Sequence, residues 1–240
     1  MAARKVQSVA VLGLGLMGGG IAQVTAQAGL RVVGIEVSSA AAAKALSGIT
    51  SSLRAAEKRA VAKGTIDAAA AALATEATLS RLTVTSDRGA LKEVDLVVEA
   101  APEDAAFKNR LYASLRSEVR EDAIVATNTS GLLVSDLARA FGGDGMARVI
   151  GLHYFNPVPA MALCEVITLP STSADVREAA IALVRAQKKT PVLAADTPGF
   201  IVNRLLVPFI AQAISLAGAR VASVADIDAA MSQSLCASLW

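Results

Sequence analysis

The chain has one histidine, His153, and its surroundings suit it to proton transfer. His153 follows a short apolar run and precedes an Asn156-Pro break, and Glu165 lies twelve residues further on. A single histidine is more often structural than catalytic. A carboxylate bonded to one ring nitrogen, however, would fix the tautomer and leave the other nitrogen as a base. The spacing predicts this pairing without proving that the two side chains meet.

A glycine-rich loop near the start of the chain is the second segment suited to chemistry. Gly13, Gly15 and Gly18 follow an apolar run, Ser8–Leu12, and open a segment with helical periodicity. In a strand–loop–helix unit the first glycine permits the turn, the second lets the backbone approach a pyrophosphate, and the third lets helix and strand pack closely. This context predicts a dinucleotide site, with contacts from Gly13, Gly15, Leu16, Met17 and Gly18.

Glu36 indicates which dinucleotide the loop would bind. It ends the next apolar run, 23 residues after Gly13. A carboxylate there can accept hydrogen bonds from the adenosine ribose hydroxyls and would repel a 2′-phosphate. The alternative is a solvated acid at a strand end. We favour the ribose role because the motif requires an acid at this position, and we therefore predict NAD rather than NADP.

The strands and helices that position these residues are indicated by short apolar runs, which alternate with longer segments of helical periodicity. The pattern is typical of an α/β fold with a parallel sheet covered on both faces, and with the glycine loop it predicts a Rossmann-type doubly wound sheet. The expected strands are 8–12, 31–35, 82–85, 95–99, 123–127, 149–152, 163–167 and 191–194. The expected helices are 18–28, 39–63, 66–79, 104–120, 134–141, 174–186 and 201–219.

The segment Asp196-Thr-Pro-Gly199 marks the end of the sheet region, because Pro and Gly together interrupt regular structure. We expect a cofactor-binding domain over 1–196 and the start of an all-α C-terminal domain over 197–240. About forty residues follow the break, which is fewer than usually fold alone.

Composition and charge exclude several classes of protein. Hydrophobic residues make up 54% and charged residues 18% of the chain, which excludes a disordered protein. The net charge of +2, with no Lys/Arg block, gives no indication of nucleic-acid or membrane-surface binding. We find no secretory signal and no apolar run long enough to span a bilayer, and Cys164 and Cys236 fit no metal or disulfide pattern. A cytoplasmic protein without a metal is expected.

Over residues 6–230 the chain resembles the L-3-hydroxyacyl-CoA dehydrogenases. Besides the glycine loop, the resemblance rests on Val97-Val-Glu-Ala-Ala-Pro-Glu103, Asn128-Thr-Ser130, His153-Tyr-Phe-Asn156-Pro and Asp196-Thr-Pro-Gly-Phe-Ile-Val-Asn203-Arg, which occur in the family's order. The last two segments are the most specific. The resemblance, which is to the 3-hydroxybutyryl-CoA dehydrogenase type, implies NAD as cofactor, an acyl-CoA substrate, and conversion of L-3-hydroxyacyl-CoA to 3-oxoacyl-CoA or the reverse.

The resemblance also implies catalytic roles for four side chains. His153 matches the family's base, and Glu165 matches its carboxylate partner. Ser130 and Asn203 match the residues that bond the reacting oxygen of the substrate, and Ser130 also matches a cofactor contact. These residue types suit the oxidation of a secondary alcohol, because a base must take the hydroxyl proton as the hydride leaves carbon.

Binding roles follow from the same resemblance. Glu103, Lys108 and Asn156 match residues that line the nicotinamide end of the cofactor site. Ser52 and Arg59 fall where the family contacts coenzyme A. The family more often has Lys than Arg at the second of these positions, and a helix face in water is an equal alternative for both residues.

The end of the chain departs from the family. Asp226-Ile-Asp-Ala-Ala-Met231 is still family-like, whereas the segment 232–240 is not. The family's helical domain normally continues further, closes the substrate cleft and forms a homodimer interface, so we expect a truncated or frame-shifted end. NAD binding is then retained more surely than catalysis. Two alternatives to an active enzyme of this type stay open: an NAD-binding remnant or pseudoenzyme, and a sugar-acid oxidoreductase resembling L-gulonate 3-dehydrogenase.

Overall fold

Eight strands form one sheet in the computed structural model, which describes residues 4–234. They are β1 (Ser8–Leu12), β2 (Arg31–Ile35), β3 (Leu82–Thr85), β4 (Leu96–Glu99), β5 (Ile124–Thr127), β6 (Val149–Tyr154), β7 (Leu163–Thr168) and β8 (Thr190–Ala195). Their order across the sheet is β3-β2-β1-β4-β5-β6-β7-β8. The first six strands follow the order of a doubly wound sheet, whose chain reverses between β1 and β4. The predicted Rossmann-type fold is confirmed.

Helices follow most of the strands, close to where the periodicity predicts them. They are α1 (Leu16–Gln27), α2 (Ser39–Ala62), α3 (Ala68–Leu79), α4 (Ala105–Glu118), α5 (Val134–Phe141), α6 (Ala174–Ala186), α7 (Val202–Gly218) and α8 (Val224–Ser234). Short 3-10 helices over Arg88–Glu93 and Gly143–Arg148 precede β4 and β6. These two 3-10 helices and α8 were not predicted from the sequence.

Strands β7 and β8 run opposite to the other six, so the expectation of a wholly parallel sheet is wrong at this edge. β6 and β7 pair antiparallel, and β8 pairs parallel with β7. Only residues 155–162 connect β6 to β7. A parallel neighbour needs a crossover of a dozen or more residues, usually a helix, so this short connection permits only an antiparallel pair.

The centre of the sheet is built from aliphatic residues. Strands β1, β4 and β5 are buried along their whole length, and therefore on both faces. One core cluster joins strand residues such as Val9 and Ile124 to Ile21 of α1 and Val184 of α6. Compact aliphatic side chains pack well between a sheet and a helix, which explains how a chain with 3% aromatic residues fills its core.

The described residues divide into two compact units between Pro198 and Gly199. The second unit contains α7 and α8. Neither helix buries a residue within the described range, and α7 exposes large apolar side chains, among them Leu206, Ile210 and Ile214. In the part of the chain that the structure describes, no helix is long and apolar enough to cross a bilayer.

Helix α8 begins with a recognisable capping pattern. The Ser223 hydroxyl accepts a hydrogen bond from the Asp226 backbone N–H at 3.1 Å and donates to Asp226 Oδ2 at 2.6 Å. A Ser three residues before an acid is a helix-start signal, which would have predicted this helix. Residues 235–240 of the segment 232–240, including Cys236, lie outside the described residues. The other cysteine, Cys164, is buried.

Candidate active site at the carboxyl ends of the strands

The glycine loop joins β1 to α1 where the strand order reverses. Gly13 has φ +81°, a conformation that favours glycine, and a Cβ there would lie 3.0 Å from the Ala100 carbonyl oxygen. A Cβ on Gly18 would lie 1.8 Å from the Gly13 oxygen, so only glycine fits. A Cβ on Gly15, by contrast, would meet nothing within 4 Å. The loop is therefore tightly packed on its inner side and open at Gly15.

The open side of this loop faces the start of α1. No side-chain hydrogen bond caps α1, which begins at Leu16, so the amides of its first turn are suited to an anion. The Leu16 side chain is exposed, whereas that of Met17 packs against the core. A contact from Met17 to a cofactor would therefore be made by its backbone.

Glu36 follows β2 and turns back onto the glycine loop. Its Oε1 accepts a hydrogen bond from the Leu14 N–H at 2.6 Å, and its Oε2 accepts one from the Val37 N–H at 3.3 Å. These bonds hold the carboxylate beside the loop, where the dinucleotide motif requires its acid. The tight inner side, the open Gly15 and the anchored carboxylate together fit NAD.

A cavity of about 690 Å³ extends from the glycine loop along α2. Glu36, Ser52, Arg59 and Asn156 all contribute to its wall, with small residues of α1 and α2 between them. Ser52 and Arg59 therefore share a cavity with residues of the predicted cofactor site, which the sequence alone could not show. This arrangement favours a binding role for the pair over a helix face in water.

His153 and Glu165 are direct partners across β6 and β7. The antiparallel register places them opposite each other, and His153 Nδ1 lies 2.7 Å from Glu165 Oε2. Glu165 is fully buried and His153 is 5% exposed. The Phe155 ring packs against the imidazole, with centroids 4.5 Å apart. The reversal of β7 is thus what brings the predicted base and its carboxylate together.

Neighbouring hydrogen bonds hold the strand that carries His153. The Tyr154 N–H donates to Asn128 Oδ1 at 2.9 Å, which ties β6 to the loop after β5. The Tyr154 hydroxyl donates to Gln187 Oε1 at 2.8 Å, and Gln187 Nε2 donates to Thr25 Oγ1 at 2.8 Å. This buried chain connects the histidine strand to α1. Asn128 and Tyr154 belong to family-like segments of the sequence, whereas Gln187 and Thr25 carry no local signal.

Glu103 bridges the turn after β4 and the loop after β5. Its Oε1 accepts hydrogen bonds from the Ser130 N–H at 2.9 Å, the Gly131 N–H at 3.0 Å and the Thr129 hydroxyl. Partial burial would raise the pKa of Glu103, but these bonds and the nearby Lys108 ammonium lower it overall. Glu103 and Ser130, both predicted site residues, are therefore in contact.

Lys108 lies beneath this bridge, fully buried between two carboxylates. Its Nζ is 2.7 Å from Glu99 Oε1 and 3.3 Å from Glu103 Oε2. Glu99 was quoted only within a family-like segment and was not predicted as a site residue. An acid at the end of an otherwise apolar strand is the signal that could have found it, because a buried charge needs a partner.

Asn203 belongs to the second unit, in the first turn of α7, and is half-buried. It stands in the Pro-Gly-Phe-Ile-Val-Asn segment that the sequence analysis found most specific. Its role toward a substrate stays a prediction.

Comparisons with known proteins agree with this geometry. The family model described as "3-hydroxyacyl-CoA dehydrogenase, NAD binding domain" matches residues 8–197, and "3-hydroxyacyl-CoA dehydrogenase, C-terminal domain" matches residues 199–237. The second match continues beyond residue 232, where we expected the resemblance to end. The mitochondrial hydroxyacyl-coenzyme A dehydrogenase of Rattus norvegicus is 43% identical over 227 residues, which cover 94% of this chain and 71% of that protein.

Two solved structures have the same architecture. FadB2 of M. tuberculosis superposes with a TM-score of 0.87 at 35% identity, over 98% of this chain and 79% of that one. The (S)-3-hydroxybutyryl-CoA dehydrogenase PaaH1 of Ralstonia eutropha superposes with a TM-score of 0.86 at 36% identity, over 95% and 77%. The chain therefore belongs to the 3-hydroxyacyl-CoA dehydrogenase family, the NAD-dependent oxidoreductases that act on 3-hydroxyacyl-CoA.

Proposed function

We propose that this chain interconverts L-3-hydroxyacyl-CoA and 3-oxoacyl-CoA with His153 as the proton-transfer residue. The observation that carries the proposal is the buried His153–Glu165 pair, with Nδ1 and Oε2 2.7 Å apart. A carboxylate bonded at Nδ1 orients the ring and stabilises its protonated form. Proton transfer then takes place at Nε2, which takes the hydroxyl proton of the alcohol and returns it in the reverse reaction.

The remaining residues orient the reactants in this proposal. Ser130 and Asn203 bond the reacting oxygen while it changes between hydroxyl and carbonyl. Glu103 holds the Ser130 backbone through its 2.9 Å hydrogen bond and, with Asn156, lines the nicotinamide end. Glu36 binds the adenosine ribose and repels a 2′-phosphate. Bound NAD supplies the hydride acceptor or donor, and the protein supplies alignment.

Coenzyme A is the group that we assign to Ser52 and Arg59. Both line the 690 Å³ cavity, and a guanidinium is well suited to phosphate oxygens. A substrate that carries phosphate groups uses these residues. A sugar acid does not require an anion site there in addition to the one for the cofactor. This supports an acyl-CoA over the sugar-acid alternative. Initial rates across a series of acyl chain lengths would identify the preferred substrate.

The larger-scale assignments are also proposals. We assign NAD binding to residues 1–196 and substrate binding and dimerisation to residues 197–240, and we propose a homodimer that buries the apolar surface of α7. We also propose a cytoplasmic location, since two cysteines are too few for a disulfide framework. Fractionation of cells that produce the chain from its own gene would test the location.

A two-step assay tests the function. NADH is first added in a thermal-shift measurement, and acetoacetyl-CoA with NADH is then used to measure turnover. We expect stabilisation by NADH and its oxidation only when acetoacetyl-CoA is present. NADH binding without turnover would favour the remnant alternative. A chain that neither binds NADH nor turns over would contradict the proposal.

A further inference from the structure

Glu99 ends β4 at the centre of the sheet, beside the point where the strand order reverses. It is fully buried, and the parallel registers place Leu12 of β1 on one side of it and Thr127 of β5 on the other. Residues in register on neighbouring strands point to the same face of a sheet, which allows the Thr127 hydroxyl to reach Glu99. A buried carboxylate therefore stands directly under the predicted cofactor site.

The Glu99 carboxylate makes three hydrogen bonds that connect different elements. Oε1 accepts from Lys108 Nζ on α4 at 2.7 Å and from the Ala101 N–H at 2.7 Å. Oε2 accepts from the Thr127 hydroxyl at 2.8 Å. Ala101 lies in the turn that packs on Gly13 of the glycine loop, where its Cα lies 3.4 Å from a Cβ built there. One side chain thus joins the turn after β4, helix α4 and strand β5.

Lys108 connects Glu99 to Glu103, a predicted residue of the cofactor site. Its Nζ also lies 3.3 Å from Glu103 Oε2, and Glu103 Oε1 accepts the hydrogen bonds of the Ser130 and Gly131 amides. One path from Glu99 to the Ser130 loop therefore runs through the two ion pairs of Lys108 and the two backbone bonds of Glu103. A shorter one runs through Thr127 Oγ1, which accepts a hydrogen bond from the Thr129 N–H at 3.3 Å. Displacing the ammonium would move the carboxylate that holds the loop.

Stability alone does not account for this buried cluster. Replacing a buried ion pair with apolar side chains of similar volume is often neutral or stabilising, because desolvation offsets the attraction. We propose that Glu99 is a positioning residue, which fixes Lys108 so that Glu103 and the Ser130 loop take the geometry needed at the nicotinamide end. This inference rests on the proposed function.

The test measures NADH affinity by fluorescence titration of the full chain, with Glu99→Gln, Glu103→Gln and the double variant. We expect each single change to raise Kd about tenfold, as for a lost hydrogen bond to a charged group. Because both act on one network, the double variant should lose much less than the product of the two effects. A purely structural Glu99 would give multiplicative losses.

Conservative variants separate positioning from folding. Thr127→Val keeps the shape of β5 but removes the bond to Glu99 and the 3.3 Å bond that Thr127 Oγ1 accepts from the Thr129 N–H, and we expect Kd to rise about threefold. If Glu99→Gln fails to fold, a Thr127→Val chain that binds NADH within twofold of the unaltered affinity would still contradict the positioning role. Thr78→Val is the matched control, since Thr78 is also buried and its hydroxyl bonds to the Ala74 carbonyl oxygen within α3, and its Kd should be unchanged.

The outcomes distinguish this inference from the function on which it rests. If the unaltered chain binds NADH and Glu99→Gln binds it within twofold of that affinity, or if its loss multiplies with that of Glu103→Gln, the positioning role is wrong. If the unaltered chain does not bind NADH, the proposed function fails and this inference fails with it.

Discussion

At the residue scale, the buried acidic side chains of the site form hydrogen bonds with other side chains. Glu165 and Glu99 are fully buried, and each has a nitrogen donor at 2.7 Å. In surroundings of low polarity such bonds are strong, and they fix the orientation of both partners. Protein side chains therefore orient His153 and Lys108.

The role of His153 leads to a direct prediction. His153→Ala should lower kcat with acetoacetyl-CoA by about 10²–10⁴-fold, the usual contribution of a general base. NADH affinity should change little, because the ring contacts Glu165 and Phe155 rather than the glycine loop. Steady-state rates and NADH titration check both parts. An unchanged rate would show that the base has been assigned wrongly.

Cofactor selectivity is a second property set by one residue. Glu36→Ser removes the negative charge beside the glycine loop, so the ratio of kcat/KM for NADPH to that for NADH should rise about tenfold or more. Glu178→Ser, an exposed acid on α6, is the matched control and should leave the ratio unaltered. No change in the Glu36 variant would argue against the ribose contact.

At the element scale, a residue that is distant in sequence holds the start of helix α5. Asp196, just after β8, accepts hydrogen bonds from the Val134 and Ser135 amides at 2.8 and 2.9 Å and so caps α5. The sequence predicts a boundary at the Asp-Thr-Pro-Gly segment and a resemblance to the family there, but no contact for Asp196. Its first residue also anchors the helix that follows the Ser130 loop, and this long-range contact has no signal in the local sequence.

Loss of this cap should destabilise the protein. Asp196→Ala should cost about 1 kcal/mol or more, equivalent to a fall of about 2–4 °C in Tm for a chain of this length. Asp67→Ala is the control, because Asp67 caps α3 through a single bond to the Ala70 N–H at 2.9 Å. Thermal unfolding should show the larger loss for Asp196. If Asp196→Ala lowers Tm by the same amount as Asp67→Ala or by less, the two bonds of Asp196 to α5 stabilise the protein no more than the single bond of Asp67 to α3 does.

At the scale of the whole molecule, α7 has a surface that suits a partner. Leu206, Ile210 and Ile214 recur every four residues, so they lie along one face, and all three are exposed. A contiguous apolar face of this kind marks an interaction surface more often than a solvated one. With a net charge of only +2, little long-range repulsion opposes self-association.

The proposed homodimer can be tested through this face. Ile210→Asp should shift the chain toward monomer in sedimentation-velocity experiments over a range of concentrations, because a charge in an apolar interface is costly to desolvate. Leu73→Asp places the same charge at an exposed leucine on α3 and should leave the distribution unaltered. Identical behaviour of the two variants would exclude α7 as the interface.

Features that depend on neighbouring residues can be predicted from the sequence of this protein. The order of strands and helices, the glycine loop and the position of Glu36 could be predicted because periodicity, turn residues and one strand–loop–helix unit set them locally. The capping pattern at Ser223 was equally local, so α8 could have been predicted as well.

Contacts between residues that are distant in sequence depend on how the sheet and helices pack. The antiparallel β6–β7 pair brings His153 to Glu165, and the register of β4 with β5 brings Glu99 to Thr127. Ser52 and Arg59 gained a shared cavity with Glu36 in the same way. Such contacts depend on strand direction, register and packing across many residues, which no local window of sequence contains. The pairing of His153 with Glu165 can be predicted from the sequence, but the contact itself depends on the antiparallel register of β6 with β7.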